Sequence, residues 1–299
     1  MTRPLRIEFP GAVYHVTSRG DRQEPIFRDD NDRQRLLDVI DHAMGRLDAE
    51  MLAFCLMGNH YHFVLRTRRP NLSRLMRHIN GEYTQAFNRR HAVSGHVFQG
   101  RFHAVIVDTD AYLLEVCRYV ELNPVRAGLV STVDGWPWSS YRAHVGMARG
   151  PTWLATAELH SHLLGRYPTN PDDRRQARDL YANTVAAGRD ANPWKLHLRQ
   201  EIYLGEEAFV ADTRARATAH RLRSPEIART QRTSQNTLAE WLTPERTRDE
   251  AFRLAYSLGG MTMAEIARQA GMSVSGVSRI IAIAERLHES RPDPAIVKT

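Results

Sequence analysis

Lysine is nearly missing from this chain: of its 41 lysines and arginines, only Lys195 and Lys298 are lysine. Arginine's planar fork suits phosphate and stacked-base contacts better than an ammonium does, although a GC-rich genome produces the same bias. Cysteine is equally scarce. Two residues, Cys55 and Cys117, exclude a disulfide-rich scaffold and a cysteine-based zinc site. Both sit in apolar segments and read as small core residues, which fits a reducing compartment. No apolar run approaches the roughly 20 residues that a membrane-spanning helix needs. The opening Met1-Thr2-Arg3-Pro4 lacks the apolar stretch of a signal peptide. A cytoplasmic protein with no membrane partner is the expectation.

What is present is ordinary globular composition: 299 residues, 42% hydrophobic and 25% charged, enough for about two domains. The balance is basic, with a net charge of +7 that suggests a polyanionic partner.

The expected organisation has a domain over residues 1–146, a mostly helical extension over 147–240, a helix-turn-helix domain over 241–290 and a tail over 291–299. In the first domain, Ala12–Ser18 is β-branched and aromatic and reads as a strand. Leu36, Leu37, Ile40, Ala43 and Leu47 fall at helical spacing. Met51–Met57 and His60–Arg66 are strand-like runs around Gly58-Asn59, a two-residue hairpin signal. A helix follows, with Asn71 as its expected cap, carried by Leu72, Leu75, Ile79, Tyr83 and Phe87. Phe102–Val107 is a further strand, and a last helix from Asp110 to Asn123 is expected to stop at Pro124. The order β-α-β-β-α-β is the split, ferredoxin-like arrangement, which packs helices on one face of an antiparallel sheet; the last helix is an addition to it. The fold class is therefore α+β, followed by an all-α domain. Pro168, Pro171 and Asn170–Arg175 read as a linker inside an extension with no assignable role.

The C-terminal part is sharper. Ala251, Leu254, Ala255 and Leu258 mark an amphipathic helix ended by Gly259-Gly260, and Thr262-Met263-Ala264-Glu265 is a capping box. Ala267, Gly271 and Val277 then occupy the small, turn and buried positions of a helix-turn-helix, with Ile280, Ile281, Ala284 and Leu287 on one face. Any three-helix bundle with a glycine turn would share the pattern.

Three features carry possible chemistry. His60 and His62 flank Tyr61 on a strand, where residues two apart share a face, so both imidazoles can reach one metal. Taken alone, such a pair is more often a surface or packing feature. Tyr119 lies at the flank of the stripe Leu113, Cys117, Val120, and Asn123 is its neighbour four residues on. Tyr112 shares that flank and Tyr83 sits on the preceding helix, so spacing leaves three tyrosines open as nucleophile. Lastly, residues 66–103 hold eight arginines (66, 68, 69, 74, 77, 89, 90 and 101) against a single acid, Glu82. That density is expected to mark the path of a polynucleotide, with Tyr83, Phe87, Phe98 and Phe102 either stacking on bases or buried as core.

Four stretches together carry a family likeness. Tyr14-His15-Val16-Thr17-Ser18-Arg19-Gly20, Met57-Gly58-Asn59-His60-Tyr61-His62, Phe98-Gln99-Gly100-Arg101-Phe102 and Arg118-Tyr119-Val120-Glu121-Leu122-Asn123-Pro124-Val125-Arg126-Ala127 resemble the single-tyrosine transposases of the His-hydrophobic-His superfamily. The branch they resemble most is the one associated with repetitive extragenic palindromes. The resemblance spans roughly residues 5–145. It implies Tyr119 as nucleophile, His60 and His62 as metal ligands with Asn123 as a further polar ligand, and Mg²⁺ or Mn²⁺ as cofactor. It also implies single-stranded, hairpin-forming DNA as substrate, cleaved and rejoined through a 5′-phosphotyrosine intermediate in DNA transposition and recombination. Arg19, Arg66, Arg89, Arg90, Arg101, Arg118 and Arg126 are the expected DNA contacts of that domain. The C-terminal segment is similar to the DNA-binding domain of bacterial replication initiators, which implies duplex DNA contacts from Ser275 and Arg279.

Two other functions compete with this metal-dependent endonuclease and strand transferase. One is a non-catalytic regulator that only grips palindromic repeats; intact His60, His62, Tyr119 and Asn123 argue against it. The other is RNA binding on the sheet, for which the stacking aromatics of two central strands are not evident. Two strand breaks need two nucleophiles, which favours a homodimer for full transposition. A monomer suffices for nicking hairpins.

Overall fold

The computed structural model describes residues 7–188, 194, 198–200, 202–223, 237–244, 246–257, 261 and 263–289. The chain divides into two compact units, Met1–Ala217 and Thr218–Thr299.

The first unit is built on β1 (Ala12–Arg19), whose alternation decides everything around it. Tyr14 and Val16 join one buried cluster, whereas Val13 belongs to another on the opposite face of the sheet. β2 (Ala49–Leu56) and β3 (His60–Thr67) form the expected hairpin around Gly58-Asn59. β3 pairs antiparallel with β1, setting Thr17 opposite His62 and Arg19 opposite His60. β4 (His103–Val107) pairs on the other side of β1, with Thr17 opposite His103.

α1 (Asp30–Leu47) and α2 (Leu72–His91) cover the first face. α1 starts where Asp29 accepts the Asp32 N–H, a side-chain cap worth about 1 kcal/mol. The expected cap at α2 takes another role: Asn71 makes no cap hydrogen bond, and its Nδ2 donates to Leu47 O at 2.7 Å, fastening α2 to the end of α1. The interleaved aromatics are core. Tyr83, Phe87, Phe98 and Phe102 are all buried in this cluster, so none is a base-stacking platform.

Helices cover the second face too, where the split arrangement alone leaves a sheet bare. α3 (Thr109–Glu121) buries Leu113, Val116, Cys117 and Val120 there. Pro124 does not end the helical path. It occupies the first turn of a short α4 (Asn123–Arg126), a place that tolerates proline because those N–H groups have no helical partner anyway.

This layer continues through α5 (Tyr141–His144), at the end of the first domain, and through α6 (Thr156–Leu164) and α7 (Pro171–Ala186) of the extension. Residues expected as a linker instead start α7. Asn170 accepts the Asp173 N–H at 2.8 Å, proline follows, and Asp172 and Asp173 answer the helix dipole. Further on, β5 (Leu198–Arg199) and β6 (Tyr203–Leu204) complete a six-stranded sheet of order β2-β3-β1-β4-β6-β5, parallel only at β4–β6. A helix over Glu207–Arg223 follows. The outer edge of β2 is also occupied. Leu56 N donates to Trp138 O at 2.8 Å and Ala155 N to Met51 O at 2.8 Å, so the backbone groups of that edge are used within the chain. Among the described residues no helix is long and apolar enough to cross a membrane.

In the second unit, Thr237 and Glu240 form a capping box at a short 3-10 turn, and helices span Arg248–Ser257, Met263–Ala270 and Val274–Glu289. Leu258, Gly259, Gly260 and the Thr262 of the expected capping box lie outside the described residues. Ala267, Val277 and Ile281 share one core with Phe252 and Ile266. Gly271, at φ +65°, makes the tight turn, in the left-handed region where a side chain is strained.

Candidate active site

Two neighbouring strands and one helix converge on the second face of the sheet. β1 supplies His15, β3 supplies His60 and His62, and α3 supplies Tyr119. The His15 and His62 rings stack, centroids 5.3 Å apart, and His60 meets His62 edge-on at 4.9 Å. Tyr119, half-buried, stands 6.4 Å from both His15 and His62. This separates the three tyrosines. The Tyr83 hydroxyl donates to Ile26 O on the other side of the sheet, and Tyr112 is buried in the core of this face.

The histidine hydrogen bonds are selective. His62 Nδ1 lies 3.1 Å from His15 Nε2, and His60 Nδ1 lies 2.7 Å from Asn59 Oδ1. With the proton on Nδ1 in each ring, both imidazoles donate from Nδ1 and keep Nε2 as a lone pair, the usual way a partner fixes a metal-ligating histidine. His62 Nε2 is buried with no partner. Burial also keeps the rings neutral: it pushes His62 well below the ordinary histidine range, aided by His15 and His60, and it lowers His60, aided by the Arg19 guanidinium. His15 is pushed down to about 3 by burial and by His103.

Asn123 sits just beyond α3 and donates from Nδ2 to Tyr119 O at 2.9 Å and Val120 O at 3.2 Å. Its amide nitrogen thereby closes the end of the helix, and Oδ1 is the atom of this side chain that can accept or ligate. The donor set, two imidazole nitrogens and one amide oxygen, fits a divalent cation. Among the described residues no group of three or more His, Cys, Asp or Glu side chains is placed to hold a metal, so an all-histidine or carboxylate cage is not formed.

The arginines divide into unequal groups. Arg126 is in the site: its guanidinium lies 4.6 Å from the Tyr119 ring centroid, and Nη1 donates to Tyr119 O at 2.9 Å. Arg118 reaches back to Thr184 O at 3.5 Å, and Arg19 faces His60 across the strands. Arg66 is tied to Glu158 at 2.7 Å, and Arg90 to Asp29 and Asp32, so their charge is answered within the chain. Arg89 is exposed on α2, which lies on the opposite face of the sheet from Tyr119, and Arg101 is exposed before β4. The run of arginines over 66–103 is thus not one continuous path. Ser275 and Arg279 are exposed on the last helix of the second unit.

Two residues of the cluster were not singled out by the sequence. His15 had a signal in the strand period, which puts it on the same face as His62. Trp194 had none. It arrives from beyond α7, stacks on His15 at 4.7 Å and meets Tyr119 edge-on at 5.5 Å.

Behind Tyr119, α3 is anchored by a buried carboxyl. Glu121 Oε1 accepts from Ser140 Oγ at 2.5 Å and Oε2 from Tyr181 OH at 2.8 Å. Burial raises Glu121 to about 8, so it is mainly protonated at neutral pH. Ser140, at the start of α5, and Tyr181, from α7 of the extension, therefore hold the helix that carries Tyr119.

Comparison with known proteins bears on the same residues. The model of the IS200-like transposase family matches residues 9–123, which contain His15, His60, His62, Tyr119 and Asn123. No curated protein matches the chain. Among solved structures it is similar to a REP-associated tyrosine transposase bound to a REP hairpin, at 21% identity and TM-score 0.44, covering 52% of this chain and 92% of that one. It is also similar to tRNA(His) guanylyltransferase from Saccharomyces cerevisiae, at 10% identity and TM-score 0.32, over 64% of this chain and 86% of that one. Over residues 9–123 the chain is thus similar to the IS200-like transposases.

Proposed function

We propose that this protein is a transposase, a metal-dependent single-strand DNA nicking and joining enzyme whose nucleophile is Tyr119. The observation that carries the reading is His62, held at Nδ1 by His15 while its buried Nε2 has no partner, with the Tyr119 ring beside it. In the first step the Tyr119 oxygen bonds to phosphorus and the bond from phosphorus to the 3′ oxygen breaks. The phenol gives up its proton and the leaving oxygen gains one, leaving a 5′-phosphotyrosine and a free 3′-hydroxyl. Because the ester is exchanged and not hydrolysed, the 3′-hydroxyl can reverse the step and join strands without ATP. Arg126 holds positive charge against the tyrosine ring while negative charge gathers on the oxygen. Mg²⁺ or Mn²⁺, held by His60, His62 and Asn123, would supply a Lewis acid for the scissile phosphate. Hairpin-forming single strands are the substrate class that the sequence motifs support.

The test is incubation with hairpin-bearing single-stranded oligonucleotides and Mg²⁺ or Mn²⁺, followed by a denaturing gel. A covalent adduct lost in Tyr119→Phe and in His60→Ala is the expected result. Tight binding without adduct on many palindromes and with both metals would refute it in favour of a non-catalytic regulator.

For the second unit we infer duplex DNA binding through the exposed face that carries Ser275 and Arg279. Deleting residues 245–299 should weaken duplex binding and flatten its salt dependence. Loss of the adduct instead would overturn the assignment of the domains at 1–146 and 241–290, with the segment 147–240 between them.

A further inference from the structure

A groove of about 380 Å³ opens on the α1–α2 layer, on the opposite face of the sheet from Tyr119. It is lined by Arg46 from α1 and by Arg74, Arg77, His78, Gly81 and Glu82 from α2. Three guanidinium groups face one carboxylate there. Arg66, Arg68, Arg69 and Arg90 each have a carboxylate within ion-pair distance. Among the described residues, Arg46, Arg74 and Arg77 form no such pair. Arg74 and Arg77 also lie in the first two turns of α2, whose first turn contains no acid of its own and takes one carboxylate from outside, Glu8, which accepts from Ser73 N at 2.9 Å.

Two further observations point to a ligand. His78 Nε2 is a buried ring nitrogen with no hydrogen-bond partner. Gly81 interrupts a 20-residue helix, although a Cβ there would meet nothing within 4 Å. Packing therefore does not require a glycine, which weakens a helix, and its missing side chain leaves the floor of the groove open.

We propose that this groove is a phosphate-binding site, with Arg74 and Arg77 as its paired cations, Arg46 on the facing wall and His78 as the ring donor. On the reading that the chain acts on DNA, the source of the phosphate is the backbone of a strand running across the face remote from Tyr119. A site that takes free phosphate anions shares this chemistry, and the experiment separates the two.

The full-length protein and its Arg74→Gln/Arg77→Gln and Gly81→Leu variants are titrated with a mixed-sequence 30-nucleotide single strand over a range of salt, and separately with inorganic pyrophosphate. The histidine side-chain NMR signals are followed in each titration. A backbone site predicts that the slope of log K against log salt becomes shallower by about 1.4 in the double variant, two contacts at about 0.7 each. It also predicts that the His78 signal moves with the oligonucleotide. Gly81→Leu should raise the melting temperature while weakening binding several-fold, a pairing that a purely structural glycine would not give. Movement of His78 with pyrophosphate and an unchanged oligonucleotide slope identifies a free-anion site. An unchanged slope with a His78 signal that neither ligand moves overturns the proposal. The Tyr119 adduct assay is scored separately, so failure of the transferase reading and failure of this site are distinguishable.

Discussion

Replacing Glu121 with glutamine should remove a pH dependence of stability that the wild-type chain carries. The carboxyl, at the end of α3, is fully buried, and burial raises it from the ordinary 4.5 to about 8. Between those values the folded chain holds a proton that the unfolded chain has released. Stability therefore falls as pH rises through this window and levels off above about pH 8. The slope is about 1.4 kcal/mol per pH unit at most, so this group alone removes about 2 kcal/mol between pH 6 and pH 8. Glutamine has the shape of the protonated acid, and its oxygen still accepts from Ser140 or Tyr181. The assay is urea unfolding by tryptophan fluorescence from pH 6 to pH 9, wild type beside Glu121→Gln. Buried histidines such as His144, pushed down to about 3, contribute their pH dependence below the ordinary histidine value of 6.5; His144 Nε2 lies 3.6 Å from Glu121 Oε1, so the two proteins are compared above that value. Glutamine should gain on wild type by about 2 kcal/mol over the window. An identical slope in both proteins would refute the reasoning, because Glu121 would then be ionised in the fold.

Other outcomes follow from the same geometry. His15→Ala frees the Nδ1 that orients His62 and should weaken Mn²⁺ binding about 10–100-fold, as read by calorimetry; unchanged affinity would remove His15 from the site. Gly20→Ala places a Cβ 2.0 Å from Glu24 O, so the turn after β1 must shift, at a cost of about 1–3 kcal/mol in thermal unfolding. Cys55 and Cys117 are buried, and burial raises both thiols, so the native chain should react with a thiol reagent only as fast as it opens. A burst of labelling would contradict that packing.

The elements of the first domain were legible because period and punctuation agree along β1, the hairpin and α1–α3. The pair His60 and His62 was legible for the same reason, since a strand period fixes a shared face whatever the surroundings. Misreadings came where one residue type has two uses. Asn170-Pro171 serves as a loop signal or as a helix start, and Asp172 and Asp173 decide for the helix. Asn71 serves as a cap or as a tie, and the end of α1 at Leu47 takes it as a tie.

By itself, the sequence determined which residues share a strand face or a helix flank, because those periods are properties of the backbone alone. It also determined the scarcity of cysteine and lysine, and with it the kind of cation available for phosphate. Spacing left Tyr119, Tyr83 and Tyr112 open and the family resemblance pointed to Tyr119; the tertiary structure sets Tyr119 beside His15 and His62, because that depends on which face of the sheet each helix covers. It alone brought Trp194 and the Glu121 anchor to the site, through contacts between segments far apart in the chain. It alone divided the arginines into those answered by carboxylates and those with no carboxylate partner among the described residues, because charge is neutralised by neighbours in space and not by neighbours in sequence.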